Sequence, residues 1–491
     1  MAKAAQELGG EFWRKKALDE LIPLWHAHAP DRERGAFHLN LSRDWQPFPP
    51  ANKMPAMISR QVFGFSAAYL LSGDDRYLDT ARAGVAYLLE RAWDTKYGGW
   101  FDLLTPEGEP LERRKSIPCQ LYTNVGLTLY TFVTGDSRAL AAVNASVAIQ
   151  RAAGHDTAYG GYYDALNRDL TVADDGKNKH AHYGYVGSLT LNLWLATRDP
   201  GILAWQRELT DLTLERMMDA YGWVHGFTSR FDRQWRRVSP AGSQESIPVG
   251  GQLTAALSFL RLYQQTGEGR YRDAGLALGE RVTRFGWDGE RGGWLDNIAA
   301  APPHTPNANP AVSWWVQIYG ALLQLHLYHV TGDQVHLDRF VTSARFYLRY
   351  FTDPIYGGLF DSVSPEGALI GDGRKAQPWR TSYHEMEFAM LCYLYLNLYV
   401  DQKPATLHFR LDAVDTPSTH YVSPVDDPSV RIAAAWLDGQ PTAAYDGDKS
   451  RLMMPKGTAR KVVVELARAN GTDFRRTESL SVSIGDKRKG E

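Results

Sequence analysis

Two histidines separated by one residue are the first side chains in this sequence whose spacing suggests chemistry. His180 and His182 lie in the stretch DDGKNKHAHYGYVGSL, which runs from Asp174 to Leu189. An imidazole titrates near neutral pH and also binds metal ions, so the pair could supply a catalytic base, a metal site or core packing. The interval between them is typical of a strand, but the following VGSLTLNLWLATRD predicts a helix. No other histidine or cysteine lies at ligand spacing nearby, which disfavours a metal site.

The bulk composition excludes several kinds of partner. The chain has 491 residues and a formal net charge of −2, so it offers no basic surface for nucleic acid. No apolar run approaches the length that spans a membrane, and the opening MAKAAQELGGEFWRKK contains no apolar segment for secretion. The two cysteines, Cys119 and Cys392, are far apart, which excludes a disulfide framework. We expect a cytoplasmic protein that binds neither nucleic acid nor membrane.

Aromatic side chains are unusually frequent in this chain. They make up 12% of the residues and include 15 tryptophans and 25 tyrosines. Aromatic faces often line carbohydrate sites, because the C–H faces of sugars stack on them. A large helical core that needs bulky side chains would give the same composition, so both readings stay open.

A Gly-aromatic signature recurs along the chain at intervals of 62 to 70 residues. Its copies begin at residues 34, 97, 159, 221, 291 and 356, and include YGGWFDLL, YGGYYDAL and YGGLFDSV. A second signature with a Gly-Asp turn, such as SGDDRYL at Ser72 and TGDSRAL at Thr134, follows the same period. Two independent markers with one period indicate a repeated structural unit.

Each unit predicts a pair of helices. An apolar run such as RQVFGFSAAYLLS ends at a Gly-Asp turn, where Gly can take positive φ and Asp can cap the next helix. An amphipathic run such as DRYLDTARAGVAYLLERAW then follows. The fold class that we predict is mainly α, a closed (α/α)6 barrel of six helical hairpins with a site at the mouth of its inner ring. An open superhelix is the alternative topology.

The sequence pattern changes near Thr406. The segments TLHFRLDAV, VRIAAAWLDG and ARKVVVELAR alternate between apolar and polar residues as strands do. We therefore predict a catalytic barrel over residues 1–403 and a small β-rich C-terminal appendage over residues 404–491, ending in a frayed charged tail, GDKRKGE.

Several motifs together resemble the N-acylglucosamine 2-epimerase superfamily, which contains sugar 2-epimerases and isomerases. The motifs are RQVFGFSAAYL, YGGWFDLLTPEGEPLERRKSIPCQLY, KHAHYGYVGSL, SWWVQIYGALL and WRTSYHEMEF, and the resemblance covers roughly residues 10–400. It implies a cofactor-independent isomerase or epimerase that acts on a free aldose. The C2 proton of an open-chain aldose lies beside the carbonyl, so a neutral imidazole can remove it, and a nearby cation stabilises the resulting enediolate.

The resemblance implies three catalytic residues. Arg60, in ISRQVF, falls where the family has an arginine that stabilises the enediolate oxygens. His384, in TSYHEMEF, falls at a catalytic histidine, and His182 falls at a histidine on the inner helix of the third hairpin. The residues that we predict to bind substrate are Trp315, Trp379, Tyr319, Tyr185, His180, Glu245 and Glu387.

The sequence departs from the family pattern at positions predicted to face inward. Gly251 stands where the family has a second acid/base histidine, and glycine cannot transfer a proton. Thr254 and the tyrosines at 185 and 319 replace expected glutamates, and Glu387 replaces an expected arginine. These changes predict a rebuilt pocket, suited to a bulkier or less polar substrate than a free hexose.

Two routes remain for the chemistry after the loss of that histidine. One histidine could move a proton between C2 and C1, which gives a ketose. Another group, such as His180 or Glu245, could supply the missing proton and permit epimerisation.

Two other functions stay open on the same barrel. A glycan-processing hydrolase or lyase would need placed carboxylates, and no spacing selects a pair among the acidic residues. A non-catalytic carbohydrate-binding descendant would explain the loss at Gly251. We predict no cofactor and no metal ion, a small-molecule carbohydrate as the partner, and consider a homodimer as the assembly.

Overall fold

Helices make up most of the chain before residue 404. A short turn joins each of the first five inner helices to the outer helix that follows it, and a longer connection leads to the next inner helix. The computed structural model describes residues 7–238, 246–306 and 311–469. Within these ranges, deeply buried helices alternate with amphipathic helices, and the prediction of a mainly helical fold is confirmed.

The buried helices form an inner layer. The helix Pro55–Ser72, for example, is buried at every position except its last residue. We number the inner helices one to six in chain order: Pro55–Ser72; Ile117–Thr134; Tyr183–Tyr185 continued by Val186–Thr190 and Leu191–Thr197; Val249–Thr266; Trp314–Thr331; and Tyr383–Tyr395 continued by Leu396–Asp401.

The outer helices bury one face only. In Gly269–Gly286 the buried residues Tyr271, Gly275, Leu278 and Val282 recur every three or four positions. Among the helices of the described ranges, none combines the length and the apolar character needed to cross a bilayer. The outer segments are Gly10–Lys15 with Lys16–Leu21 and Ile22–His28; Asp75–Tyr87 with Leu88–Ala92; Ser137–Ala153; Pro200–Leu212 with Thr213–Met217; Gly269–Gly286; and Gln334–Phe351.

The predicted Gly-Asp turns join inner to outer helices. Gly73 ends the first inner helix at φ +72°, a conformation that strains residues with a Cβ. The Asp74 side chain then accepts a hydrogen bond from the Arg76 backbone N–H at 3.0 Å and caps the outer helix. In the third copy Arg198 takes the same left-handed conformation, at φ +54°.

The inner helices pack side by side in chain order. Each one contacts the next, and the sixth also contacts the first. The first five pack against the outer helix that follows them, and the sixth packs against the N-terminal helical segments. The inner helices therefore form one contiguous buried layer.

Short antiparallel strands lie in the connections between the hairpins. Their pairing brings the end of one connection against the start of another, as when Ser246–Pro248 pairs with Asn297–Ala299. The other strands of these connections are Leu103–Leu104, Pro110–Glu112, Lys115–Ser116, Ala165–Leu166, Val172–Asp174, Arg230–Phe231, Arg237–Val238, Val312–Ser313 and Ser362–Val363.

Beyond residue 404 the chain forms two antiparallel sheets. Ala405–Leu411 packs against the first and second inner helices, and Arg261 of the fourth inner helix pairs with Asp426 at 2.8 Å. The predicted tail from residue 485 lies outside the described residues. The strand order of the larger sheet is Ala405–Leu411, Arg460–Arg468, Val430–Leu437 and Gln440–Pro441. The strand order of the smaller sheet is Ser418–Tyr421, Arg451–Met454 and Tyr445–Asp446.

A buried aspartate–lysine ion pair recurs in the connections between hairpins. The aspartate lies four residues before the first glycine of a Gly-aromatic copy, and the lysine lies in the segment that leads into the next inner helix. Asp94 also accepts hydrogen bonds from Arg168 of the following connection. The pairs are Asp31–Lys53 at 2.6 Å, Asp94–Lys115 at 3.0 Å, Asp156–Lys177 at 2.8 Å and Asp353–Lys375 at 2.8 Å.

Replacing Lys115 by methionine should destabilise the protein by about 3 kcal/mol, because it removes one partner of a buried ion pair. Urea unfolding followed by circular dichroism would measure the change. The matched control is Lys403→Met, whose amine is largely exposed beside Asp401 and should change stability by less than about 0.5 kcal/mol.

The effect of Lys115→Met should depend on pH. Burial alone would raise the pKa of Asp94, but the hydrogen bonds from Arg168 and Lys115 outweigh it and lower the pKa from 3.8 to about 2. A carboxyl with a depressed pKa stabilises the folded state above its unfolded pKa and loses that contribution as the pH falls through the folded value. The stability difference between wild type and variant should therefore shrink between about pH 4 and pH 2. A difference that stays constant over that window would contradict this account.

Candidate active site

A cavity of about 490 Å³ opens among the amino-terminal halves of the inner helices. Its size falls within the range of small-molecule sites. Arg60, Tyr122, Thr254 and Tyr319 each line it from the sixth position of an inner helix, so the repeat directs equivalent positions into one space. Its aromatic lining residues include Tyr122, Phe227, Trp314, Trp315, Tyr319 and Trp379.

Arg60 and His384 meet at the wall of this cavity. Arg60 Nη2 lies 3.0 Å from His384 Nε2, and Arg60 Nη1 donates to the Trp379 carbonyl at 2.5 Å. The rings of Tyr122 and Tyr383 lie 4.4 and 4.9 Å from the guanidinium carbon. These contacts hold the guanidinium beside the imidazole.

A hydrogen-bonded chain continues from the other nitrogen of the His384 ring. Tyr319 Oη lies 3.3 Å from His384 Nδ1 and donates to Glu387 Oε2 at 2.9 Å. A hydroxyl has one hydrogen, so a Tyr319 that donates to Glu387 accepts from Nδ1–H. This assignment leaves Nε2 with a lone pair toward Arg60. The Tyr383 hydroxyl donates to the second oxygen of Glu387 at 3.3 Å.

Burial determines the protonation states of His384 and Glu387 in this hydrogen-bonded network. It lowers the pKa of His384 well below 6.5, and the positive charges of Arg60 and Lys179 lower it further. Burial also raises the pKa of Glu387, against the opposing effect of its hydrogen bond from Tyr319. The His384 imidazole is therefore neutral at physiological pH, as a general base must be.

The predicted aromatic walls are present. The Trp315 ring stacks on Phe227 with 5.7 Å between centroids and 7° between planes. Trp379 lies at the entrance with 40% of its surface exposed, and its ring contacts Tyr122 edge-on at 5.7 Å. Flat apolar faces of this kind suit the C–H faces of a sugar ring.

The structure corrects the prediction for His182. Its side chain is fully buried and does not line the cavity; Nε2 accepts a hydrogen bond from the Tyr162 N–H at 3.2 Å, and Nδ1 bonds to the Asn178 carbonyl at 2.7 Å. With both ring nitrogens bonded to backbone, His182 is a packing residue that anchors the loop before the third inner helix. His180 lines the cavity instead, and its buried Nδ1 has no hydrogen-bond partner within the described ranges.

Tyr185 is also absent from the cavity lining, contrary to its prediction. It is 1% exposed, and its ring packs at 5.0 Å from Trp205 of an outer helix. Gly184 and Gly187, before and after Tyr185 in the chain, do line the cavity. Tyr185 therefore lies on the face of the helix that turns away from the cavity. Glu245 lies outside the described residues.

The other replaced positions remain around the cavity. A Cβ on Gly251 would lie 3.2 Å from the Phe227 ring, so this aromatic side chain occupies the adjoining space. The Thr254 hydroxyl bonds back to the carbonyls of Gly250 and Gly251 at 3.1 and 3.0 Å. Across the described ranges, no cluster of three or more His, Cys, Asp or Glu side chains is arranged to hold a metal ion.

The sequence analysis missed Lys179 and Phe227 as cavity residues. Lys179 is only 6% exposed, although a lysine is a surface residue by default. The sequence carries no signal for it, because residues two apart on an extended segment share one side, which would place Lys179 with Lys177. Phe227 ends the Gly-aromatic copy that begins at Tyr221, but nothing in that copy indicates which distant residues it contacts.

Comparisons with known proteins agree with this fold. The chain is 24% identical over 396 residues to cellobiose 2-epimerase of Bacteroides fragilis. The matched region covers 76% of this chain and 95% of that protein. Its fold matches cellobiose 2-epimerase from Spirochaeta thermophila with a TM-score of 0.71 at 21% identity, covering 79% and 96% of the two chains. It also matches a D-mannose isomerase with a TM-score of 0.70 at 19% identity, covering 78% and 97%.

The fold and these similarities define an enzyme of the sugar epimerase and isomerase class. The model of the N-acylglucosamine 2-epimerase family matches residues 35–387, and the chain belongs to that family. The resemblance found in the sequence motifs is thereby confirmed.

The low pKa of His384 can be tested directly. In the wild type, ¹⁵N NMR of labelled histidine should show the His384 ring neutral at pH 6.5. Arg60→Met should move its titration upward, because removal of the neighbouring positive charge favours the imidazolium. The solvent-accessible control is Arg82→Met on an outer helix, which should leave the His384 signals unchanged. A His384 ring already charged at pH 6.5 would contradict the assignment.

Proposed function

We propose that this protein is a cofactor-independent isomerase or epimerase of a free aldose, in which His384 transfers a proton through an enediolate. The observation that supports this most directly is a neutral imidazole in contact with a buried guanidinium at an aromatic cavity. The names of the cellobiose and mannose enzymes above support a reducing sugar as the substrate. The scaffold that we propose is a closed (α/α)6 barrel of six hairpins, in keeping with the contact between the sixth and first inner helices.

His384 has the properties of the base. Its neutral Nε2 carries a lone pair, and this atom lies at the cavity rather than in the core. In the free protein Arg60 donates to Nε2. A substrate whose oxygens take that donor would free the lone pair to remove the C2 proton. The imidazolium then returns the proton to C1 or C2.

Arg60 has the properties of the stabilising cation. Removal of the C2 proton puts negative charge on the oxygens of C1 and C2, and a guanidinium can donate to both. The group is 3% exposed, so its electrostatic effect is screened little by water. It is also fixed before substrate arrives, because Tyr122 and Tyr383 flank it.

The remaining predicted residues would bind and orient the sugar. Trp315 and Trp379 offer apolar faces, and His180 offers a free ring nitrogen. Tyr319 and Glu387 also line the cavity. Tyr319 hydrogen-bonds to the His384 ring and Glu387 accepts from Tyr319, so both are positioning residues for the tautomer of His384.

Hydrolysis on the same scaffold is less well supported. A glycosidase of the common type needs two carboxyl groups on either side of the scissile bond. Among the described residues that line the cavity, Glu387 is the only carboxylate, and it already accepts two tyrosine hydroxyls.

We keep the cytoplasm as the proposed location, since Cys119 and Cys392 are buried free thiols. The division into a barrel over residues 1–403 and an appendage over residues 404–491 also stays a proposal. The homodimer stays a proposal as well.

Incubation in D₂O with a panel of reducing sugars would test the proposed function. Proton NMR should show deuterium entering C2 or C1 of a substrate together with a ketose or an epimer. His384→Ala should lower the rate by about 10³-fold, because the variant lacks the base. The control His26→Ala removes a histidine on an N-terminal helix and should leave the rate unchanged. Neither exchange nor conversion in any aldose, or full turnover by folded His384→Ala, would overturn the proposal.

A further inference from the structure

We propose that Lys179 is a second proton-transfer group, which acts on the face of the substrate opposite His384 and gives the enzyme a 2-epimerase outcome. This inference rests on the proposed function and adds a residue to it. It follows from the position of Lys179 among the inner helices, from its surroundings and from the absence of a partner for its amine among the described residues.

Lys179 and His384 lie on opposite sides of the ring. The inner helices contact one another in chain order, with the sixth against the first, so the third and sixth are separated by two helices in either direction. Lys179 lies in the loop that leads into the third, and His384 lies in the first turn of the sixth. Both side chains line the same cavity. A sugar bound between them would present one face to each.

The backbone of Lys179 is fixed in this position. Its N–H donates to the Gly226 carbonyl at 2.8 Å, and its own carbonyl accepts from the N–H groups of His182 and Gly184 at 3.1 and 2.8 Å. The side chain therefore starts from a defined point beside the cavity.

The Lys179 ammonium lies against aromatic rings rather than beside a carboxylate. Nζ is 4.0 Å from the ring centroid of Phe227 and 6.0 Å from that of Trp315. The residue is 6% exposed, and within the described ranges Nζ has neither a hydrogen-bond acceptor nor an ion-pair partner. A buried amine without a partner is costly, so its retention at a cavity points to a ligand.

Lys177, two residues earlier, provides the contrast. Its amine is fully buried and forms an ion pair with Asp156 at 2.8 Å, which accounts for its burial by structure alone. Among the described residues, no such ion pair accounts for Lys179. Lys177 belongs to the ion-paired framework, and Lys179 lines the cavity.

Lys179 and Gly251 both lie beside Phe227, which relates the proposed proton donor to the position of the missing histidine. Position 251 has no side chain, and the Phe227 ring fills the adjoining space. Lys179 covers the same ring, so its amine lies next to the region that a side chain at 251 would enter.

Electrostatics would let Lys179 both give and take a proton. Burial lowers the pKa of the amine, and the charge of Arg60 lowers it further, to about 7. The charged and titratable groups that line the cavity with it include Arg60, Arg261, Glu387 and three histidines, His180, His326 and His384. Burial keeps the three histidines neutral and raises the pKa of Glu387. Ammonium and amine forms are then both populated near neutral pH.

The step balances without another reactant. His384 takes the C2 proton from one face, which breaks that C–H bond and gives the enediolate and an imidazolium. The Lys179 ammonium delivers a proton to C2 on the other face, which forms the inverted C–H bond and leaves a neutral amine. After product release, the imidazolium loses its proton to water and the amine regains one.

Two substitutions at position 179 test the role, with the D₂O assay as readout. In Lys179→Met, His384 should still exchange the C2 proton of unreacted substrate for deuterium, while epimer formation should fall by about 10²-fold or more. Lys179→Arg keeps the positive charge but cannot lose it at neutral pH, so it should show the same selective loss. The control Lys403→Met should keep both activities, and thermal melting would verify that each variant is folded.

The outcomes separate this inference from the proposed function. A wild type that neither exchanges nor converts any aldose refutes both. A wild type that forms only ketose, a Lys179→Met variant that keeps its ratio of epimer to exchange, or a Lys179→Arg variant that epimerises at the wild-type rate refutes the role of Lys179 alone. The last result would assign Lys179 a purely electrostatic role. The wild-type epimerisation rate should also vary with pH near neutrality, and Lys179→Arg should remove that dependence.

Discussion

The buried aspartate–lysine pair between consecutive hairpins is the contact on which the geometry of the cavity depends. It ties the loop at the end of one hairpin to the segment that begins the next inner helix. Arg60 and Tyr122 each lie seven residues beyond such a lysine, at the sixth position of their helices. In these two helices the pair holds the segment from which the helix starts, and with it the side chain that reaches the cavity. In the fourth and fifth copies the aspartates pair within their own loops, with His225 and Arg291.

The side chains that line this cavity are largely buried, and their burial governs the acid–base chemistry of its titratable groups. Removal from water favours the neutral form of every titratable group. The pKa of His384 therefore falls, and the pKa of Glu387 rises. The Tyr122 ring and the Trp379 carbonyl hold the Arg60 guanidinium next to these groups. The result is a neutral base beside a permanent cation, the combination that enediolate chemistry requires.

The repeat and the Gly-Asp turns could be predicted from the sequence, because periodicity and motif spacing carry that information. Arg60 and His384 were implied by the resemblance to the family, through the motifs around them. The outcome at His180 and His182 could not be predicted. Which of the two faces inward depends on a sharp backbone change at residue 182, with φ −127° and ψ −104°, just before the third inner helix. Lys179 was missed for another reason. A lysine leaves the solvent only when the surrounding fold supplies aromatic surface, here Phe227, from a distant segment.

The ion pair between Arg261 and Asp426 gives the C-terminal strands a part in the cavity itself. Arg261 lines the deep end of the cavity, and its counter-ion comes from beyond residue 404. A protein cut at that point would leave the Arg261 guanidinium without this counter-ion. The inner helices are therefore not independent of the strands that follow them. Residues remote from every substrate atom, in a segment without chemistry of its own, set the charge of the pocket floor, and changes there can retune substrate preference.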